Sequence, residues 1–364
     1  MNRLEALIGL NLTGGIGSIR LKKLLDYFGQ PQDVFKAPVD KLSAVCGISL
    51  NLASKIHSVD ARAIEREIIL AKKNNFNILT PEDNGYPLNL KNTFDPPVLL
   101  YLKGEIKRDD SLSLAIVGSR RASFYGLSCA EKFSADLSSR GLTIISGMAR
   151  GIDSCAHQAA LKQGGRTIAV MGSGLNHIYP PENRKLAQEI AQNGAVISEF
   201  PLDTLPLRQN FPQRNRLISG LALGVLVVEA ARNSGALITA DFALEQGREV
   251  FAIPGKVDSE ASFGTNNLIK QGAKLVSCAE DILEELNLGI AENKPSEQFQ
   301  ANSCCPVLGG EEESLYSLIS LVPLSIDQMA QESSMSIPRI SNILFHLELK
   351  KLIRQLPGKH FVRN

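Results

Sequence analysis

Nine basic side chains, Arg120, Arg121, Arg150, Arg184, Arg208, Arg214, Arg216, Arg232 and Lys256, fall in segments that also carry Gly118, Gly147, Gly172, Gly174, Gly235 and Gly255. Glycine leaves backbone amides open to approach, and amides together with guanidinium groups bind anions. Only four acids share these segments, Asp153, Glu182, Glu199 and Glu229. Arginines spread over so many separate segments suit a ligand with more phosphates than one nucleotide carries. Phe211, between Arg208 and Arg214, adds an aromatic face on which a base can stack. Arg214 and Arg216 lie two apart at a helix start, so they cannot both face the same way, and one of them is expected to pair internally. His157 and His177 have no Ser/Asp partners nearby and read as structural. Asp153 follows a glycine turn and reads as a helix-start residue.

The elements that must hold these residues are legible between 111 and 290. The runs LSLAIVGS, LTIISG, RTIAVMGS, AVISEFP, GVLVVEA, EVFAIPG and AKLVSC alternate with stretches long enough for helices. Near-continuous apolar strands separated by helices predict a doubly wound, Rossmann-like α/β fold with a parallel sheet covered on both faces. Ligands of such sheets bind beyond the carboxyl ends of the strands. The segments that follow the strands there include Gly118-Ser119-Arg120-Arg121, Gly147–Asp153, Gly172–Arg184, Arg208–Arg216 and Arg232–Gly235, which contain most of the cations named above.

Several chemistries lose their warrant. The first turn, GSRRAS, lacks GxGxxG, and the second strand ends without an acid to hold a ribose. No Walker A sequence, HExxH, CxxC or GxSxG occurs, so no catalytic constellation, metal set or cofactor is implied. Across 364 residues the formal net charge is +1, which by itself argues mildly against a polyanionic partner. Residues 111–290 hold 17 basic and 17 acidic side chains, so the surplus at the strand ends is positional. The N-terminus does not read as a signal peptide, and the apolar stretch Leu221–Ala231 is short for a membrane span. The six scattered cysteines suit reduced thiols and a cytoplasmic location.

Flanking segments differ in pattern. Residues 1–75 read as a helical helix-hairpin-helix/SAM-like module, with turns at Gly14-Gly15-Ile16-Gly17 and Cys46-Gly47-Ile48-Ser49. Such turns touch DNA phosphates in some proteins and merely join helices in others. Residues 76–110 form an adaptor, 291–310 a polar linker, and 311–364 a winged helix with Ser325 and Ser336 as caps. Its charges balance, so a protein partner fits it at least as well as duplex DNA.

AIVGSRRASFYG, ISGMARGIDSCAHQAAL, TIAVMGSGLNHIYPPENRKL, FPQRNRLISGLA, SGALITADFALEQGREVFAIPG and GTNNLIKQGAKLV together resemble the DNA-processing protein A (DprA/Smf) family. The resemblance implies a protein without enzymatic activity. It implies a homodimer that binds single-stranded DNA, protects incoming strands and helps load RecA recombinase in transformation. Carried onto this chain, the DNA-binding set is Gly118, Ser119, Arg120, Arg121, Arg150, Arg208, Phe211, Arg214, Asn215, Arg216 and Gly235. Arg208 stands where many members have Lys. Ile269 and Leu275 are the candidate dimer contacts, and Asn176 replaces a family-typical Asp. Two other readings stay open: a nucleotide or nucleoside hydrolase using Glu199 or Glu229, and a duplex-binding regulator acting through the winged helix.

Overall fold

The computed structural model describes residues 1–288, 309–320, 323–333, 335–350, 352–356 and 360–363. The expected linker, 291–310, lies outside them except for its last two residues, and Pro357 and Gly358, expected between two short strands, lie outside them altogether. The described residues gather into two compact units, one carrying the main sheet and one C-terminal.

Helices α1 (Arg3–Thr13), α2 (Ser18–Phe28), α3 (Pro31–Lys36), α4 (Val39–Ser43), α5 (Leu50–His57) and α6 (Ala61–Lys73) open the chain. The first is set by a capping box: Glu5 N donates to Asn2 Oδ1, and Asn2 N donates to Glu5 Oε2. Leu10, Leu24, Leu42 and Ile56 close a core among these helices. Leu7, Ile8, Ile64 and Ala71 join a second cluster with Met171, Leu186 and Val196, so the helices share apolar burial with the sheet.

The adaptor supplies β1 (Asn77–Leu79), α7 (Leu88–Lys91) and β2 (Leu100–Gly104). The main domain then runs β3 (Ser113–Val117), α8 (Phe124–Ser139), β4 (Thr143–Ser146), α9 (Ile152–Lys162), β5 (Thr167–Val170), α10 (Arg184–Asn193) and β6 (Gly194–Ser198). It continues with α11 (Asn210–Leu221), β7 (Gly224–Val227), α12 (Gly235–Glu245), β8 (Glu249–Ala252), α13 (Phe263–Lys270), β9 (Lys274–Leu275) and α14 (Ala279–Glu285). The nine strands lie in the order β1-β2-β6-β5-β4-β3-β7-β8-β9. From β6 to β9 every pair is parallel. The adaptor strands extend the β6 edge in antiparallel sense, with Leu102 opposite Ile197.

Alternation along the strands serves both faces. Ile197 and Val170 face the cluster containing Leu217, Ile218 and Ala240, whereas Val196 and Ala169 face Leu186 and Ile190. The chain winds one way from β3 to β6 and the other way from β7 to β9. The topological switch point therefore lies between β3 and β7, the place where doubly wound folds bind ligands.

The C-terminal unit contains α15 (Gly310–Leu318), β10 (Leu324–Ser325), α16 (Ile326–Ser333), α17 (Ile337–Leu349), β11 (Ile353–Leu356) and β12 (His360–Arg363). Its strands pair antiparallel in the order β10-β12-β11, a winged helix around Leu315, Met329, Ile340, Leu344 and Phe361. Ser336 occupies the cap position of α17, and Ser325 Oγ accepts from Gln328 N at the start of α16. Among the described residues no helix is long and apolar enough to cross a membrane. None of their His, Cys, Asp and Glu groups is placed to hold a metal ion.

Candidate nucleic-acid interface

The turns after β3 and β4 interlock. Ser119 N donates to Glu229 O beyond β7 (2.8 Å), and Ile152 N donates to Ser119 O (3.2 Å). Gly151 makes this possible: its φ is +74°, and a Cβ there would lie 2.3 Å from Ser119 O. The turn is tightened further by Arg121 N donating to Ser119 Oγ (3.1 Å). Arg120 and Arg121 are thereby held out in solvent at the switch point.

Phe211 lies in the first turn of α11 and covers Gly172, where a Cβ would come within 2.9 Å of the ring. The Arg120 guanidinium sits over the ring at 5.2 Å from its centroid, and Tyr179 packs beside it at 5.9 Å with a 54° tilt. Arginine over an aromatic face is attractive in its own right and fixes both groups before any ligand arrives. The result is a half-open aromatic platform with a cation above it.

The two arginines of PQRNR both turn inward, where spacing required only one to do so. Arg214 is 3% exposed; its Nη1 donates to Gly147 O (2.6 Å) and to Val170 O, so it bolts the ends of β4 and β5 together. Burial lowers its pKa to about 10, against the pull of Asp153. Asp153 accepts from Gly147 N and Ala149 N, both at 3.2 Å. Burial raises the Asp153 pKa in spite of Arg214. Arg216 reaches the other way, to Glu199 and to Asp95, whose Oδ2 is 3.5 Å from Nη1. Both arginines brace the rim from below and present no open cation to solvent.

The remaining site residues are dispersed around this centre. Asn215 Nδ2 donates to Gly235 O (3.1 Å), tying α11 to the start of α12, where Gly235 is exposed. Arg150 is exposed but paired with Glu182. Arg208 is exposed and has no acidic partner among the described residues. Of the dimer candidates, Ile269 is partly buried against the domain core, while Leu275 is 47% exposed on the edge strand β9.

Three residues considered for other roles have partners within the fold. His157 Nδ1 lies 2.6 Å from Thr167 Oγ1, and burial lowers its pKa to about 3. Glu199 is buried on Arg216, with its pKa raised to about 7 chiefly by burial, and does not open onto the rim. Asn176 donates to Asp203 Oδ1 (2.7 Å) and accepts from Asn74 Nδ2 (3.0 Å). An aspartate there would face Asp203 as a like charge, so asparagine suits this particular loop. One rim feature has no counterpart in the sequence reading: Arg232 lies 4.2 Å from the ring centroid of Phe263, at the start of α13. The strand-end rule stops at Lys256 and so passes over an aromatic several residues further on.

Known proteins are similar to this chain in sequence and fold. The family described as DNA recombination-mediator protein A matches residues 77–287, and the DprA winged helix domain matches 306–359. Protein Smf of Escherichia coli (strain K12) is 42% identical over 315 residues, 86% of this chain and 84% of that protein. The X-ray structure of DNA processing protein A from Streptococcus pneumoniae superposes with a TM-score of 0.66 at 37% identity, covering 76% of this chain and 95% of that one. A Helicobacter pylori DNA processing protein A structure, described for its single-stranded DNA binding mode, gives a TM-score of 0.53 at 32% identity, covering 59% and 97%. With the sheet, the rim and the C-terminal winged helix all in place, the chain belongs to the DNA recombination-mediator protein A (DprA/Smf) family.

Proposed function

We propose that this chain is a non-enzymatic mediator that binds single-stranded DNA along the strand-end rim. It shields incoming strands in the cytoplasm and hands them to a RecA-class recombinase during transformation. The observation that carries the reading is Arg120 held over Phe211, with exposed Arg121 and Arg208 lacking acidic partners among the described residues. Single strands are held by cations that follow the phosphates and by aromatics that stack the bases. Gly118 and Gly235 offer turn and helix-start backbone for phosphates; Ser119, whose N–H is held by Glu229 O, and Asn215, buried in α11 with its side chain on Gly235 O, position that backbone. Arg150 contacts phosphate only by leaving Glu182. Arg214 and Arg216 act as positioning residues. Pairing of two copies through the α13–β9 segment, with Leu275 outermost, belongs to the same reading.

The test is a salt titration of binding to single-stranded and duplex oligonucleotides. The native chain is expected to prefer the single strand, with log affinity falling by about 0.7 per neutralised phosphate for each unit of log salt. Arg120→Ala is expected to weaken binding and make that slope shallower. Unchanged affinity and slope in a folded Arg120→Ala chain would overturn the site. Loading is then read by recombinase assembly on strand coated beforehand with this protein. Nucleotide breakdown abolished by Glu199→Gln would instead favour the hydrolase.

A further inference from the structure

We propose that Phe263 and Arg232 form a second stacking step for the same strand, so that bases are held at two aromatic platforms with arginines between them. The inference rests on the single-strand reading above and goes beyond its one platform at Phe211.

Phe263 is 41% exposed, an aromatic ring left at the surface rather than folded into the core. The Arg232 guanidinium lies closer to it, at 4.2 Å, than Arg120 does to Phe211, at 5.2 Å. Arg232 is exposed and has no acidic partner among the described residues. The pair thus repeats the chemistry of the first platform: an open π-face, a guanidinium fixed beside it, and no carboxylate to neutralise the charge.

Its place in the sheet puts it on the same track. Gly264 N donates to Ala230 O (2.7 Å), which pins the start of α13 beside the end of β7. Phe211 covers Gly172, beyond the end of β5. In the order β5-β4-β3-β7 those ends are three strand spacings apart, about 14 Å. Arg120, from the end of β3, stands between them. A strand stacked at about 3.4 Å per nucleotide covers that span in about four nucleotides.

The experiment measures anisotropy of the full-length protein with labelled oligothymidylates from about 2 to about 16 nucleotides, so that the shortest fall well below the span and the longest match the upper end of single-strand site sizes. Phe263→Ala is expected to bind the shortest strands like the native chain. On strands long enough to reach both platforms it is expected to lose about fivefold or more, the worth of one stacked base. Phe263→Tyr should restore the loss, and Arg232→Gln should show it on the same long strands. Equal affinities for native and Phe263→Ala at every length, or equal losses at every length, would overturn the second step alone. A loss that accompanies a changed oligomeric state in sedimentation also overturns it, and assigns Phe263 to a contact between copies. Failure of the native chain to bind any single strand overturns the single-strand reading, and this inference with it.

Discussion

The sheet rim and the winged helix both carry arginine and lysine, yet they keep them in opposite states. On the rim, Arg120, Arg121, Arg208 and Arg232 are exposed without acidic partners among the described residues. In the C-terminal unit, Arg339 is paired with Glu311, Lys350 with Glu312, and Arg363 lies 4.1 Å over Tyr316. Among the described residues of that unit Arg354 is an exposed exception. A cation already holding a carboxylate must give it up before it can hold a phosphate. Pairing, rather than the count of charges, separates a surface prepared for a polyanion from one occupied by its own neighbours. The rim adds aromatic faces to its open cations, and its two inward arginines spend their donors on geometry.

The comparison breaks most visibly at Arg214. Removing it by Arg214→Ala leaves Asp153 buried without its cation and two strand-end carbonyls without a donor. The sheet unit is expected to lose about 3–5 kcal/mol in urea unfolding, with the C-terminal transition unmoved. A loss below about 1 kcal/mol would show that the brace is dispensable. Next in size is the triple change Arg120→Ala, Arg208→Ala, Arg232→Ala, which removes three open cations. The slope of log affinity against log salt should become shallower by about 2, whereas Arg339→Ala with Lys350→Ala should leave it in place. The reverse result would move the polyanion site to the winged helix. Phe211→Ala is expected to cost about 1–3 kcal/mol of single-strand affinity with the slope kept. A changed slope would mean that the ring acts by placing Arg120 and not by stacking.

The smallest effect concerns acid. Burial holds the His157 pKa near 3, below its ordinary 6.5, so the folded sheet refuses a proton that the unfolded chain accepts. The stabilising contribution is complete above 6.5 and is lost as pH falls from there towards 3. His157→Gln should flatten this decline by at most about 1.4 kcal/mol per pH unit, read from urea midpoints of the sheet unit.

Much of this was legible in sequence because buried parallel strands are nearly continuous apolar runs. The glycine turns after them named the rim without coordinates. The adaptor strands were harder to read: Asn77–Leu79 is short and set among turn residues, and its place is decided by pairing with Leu100–Leu102. Spacing said that Arg214 and Arg216 must diverge. It could not say that both directions end in protein, because the carbonyls of Gly147 and Val170 and the carboxylates of Glu199 and Asp95 come from distant segments. Phe263 was passed over for a related reason, since only the contact of Gly264 with Ala230 brings it back to the strand ends.

The nine-stranded sheet ends in β1 at one side and β9 at the other, strands of three and two residues. So little unpaired backbone gives another chain few hydrogen bonds to copy, and short edges are a known guard against fibre growth. In the proposed pairing of two copies through the α13–β9 segment, that guard leaves side chains such as Leu275, rather than a backbone ladder, to set the contact.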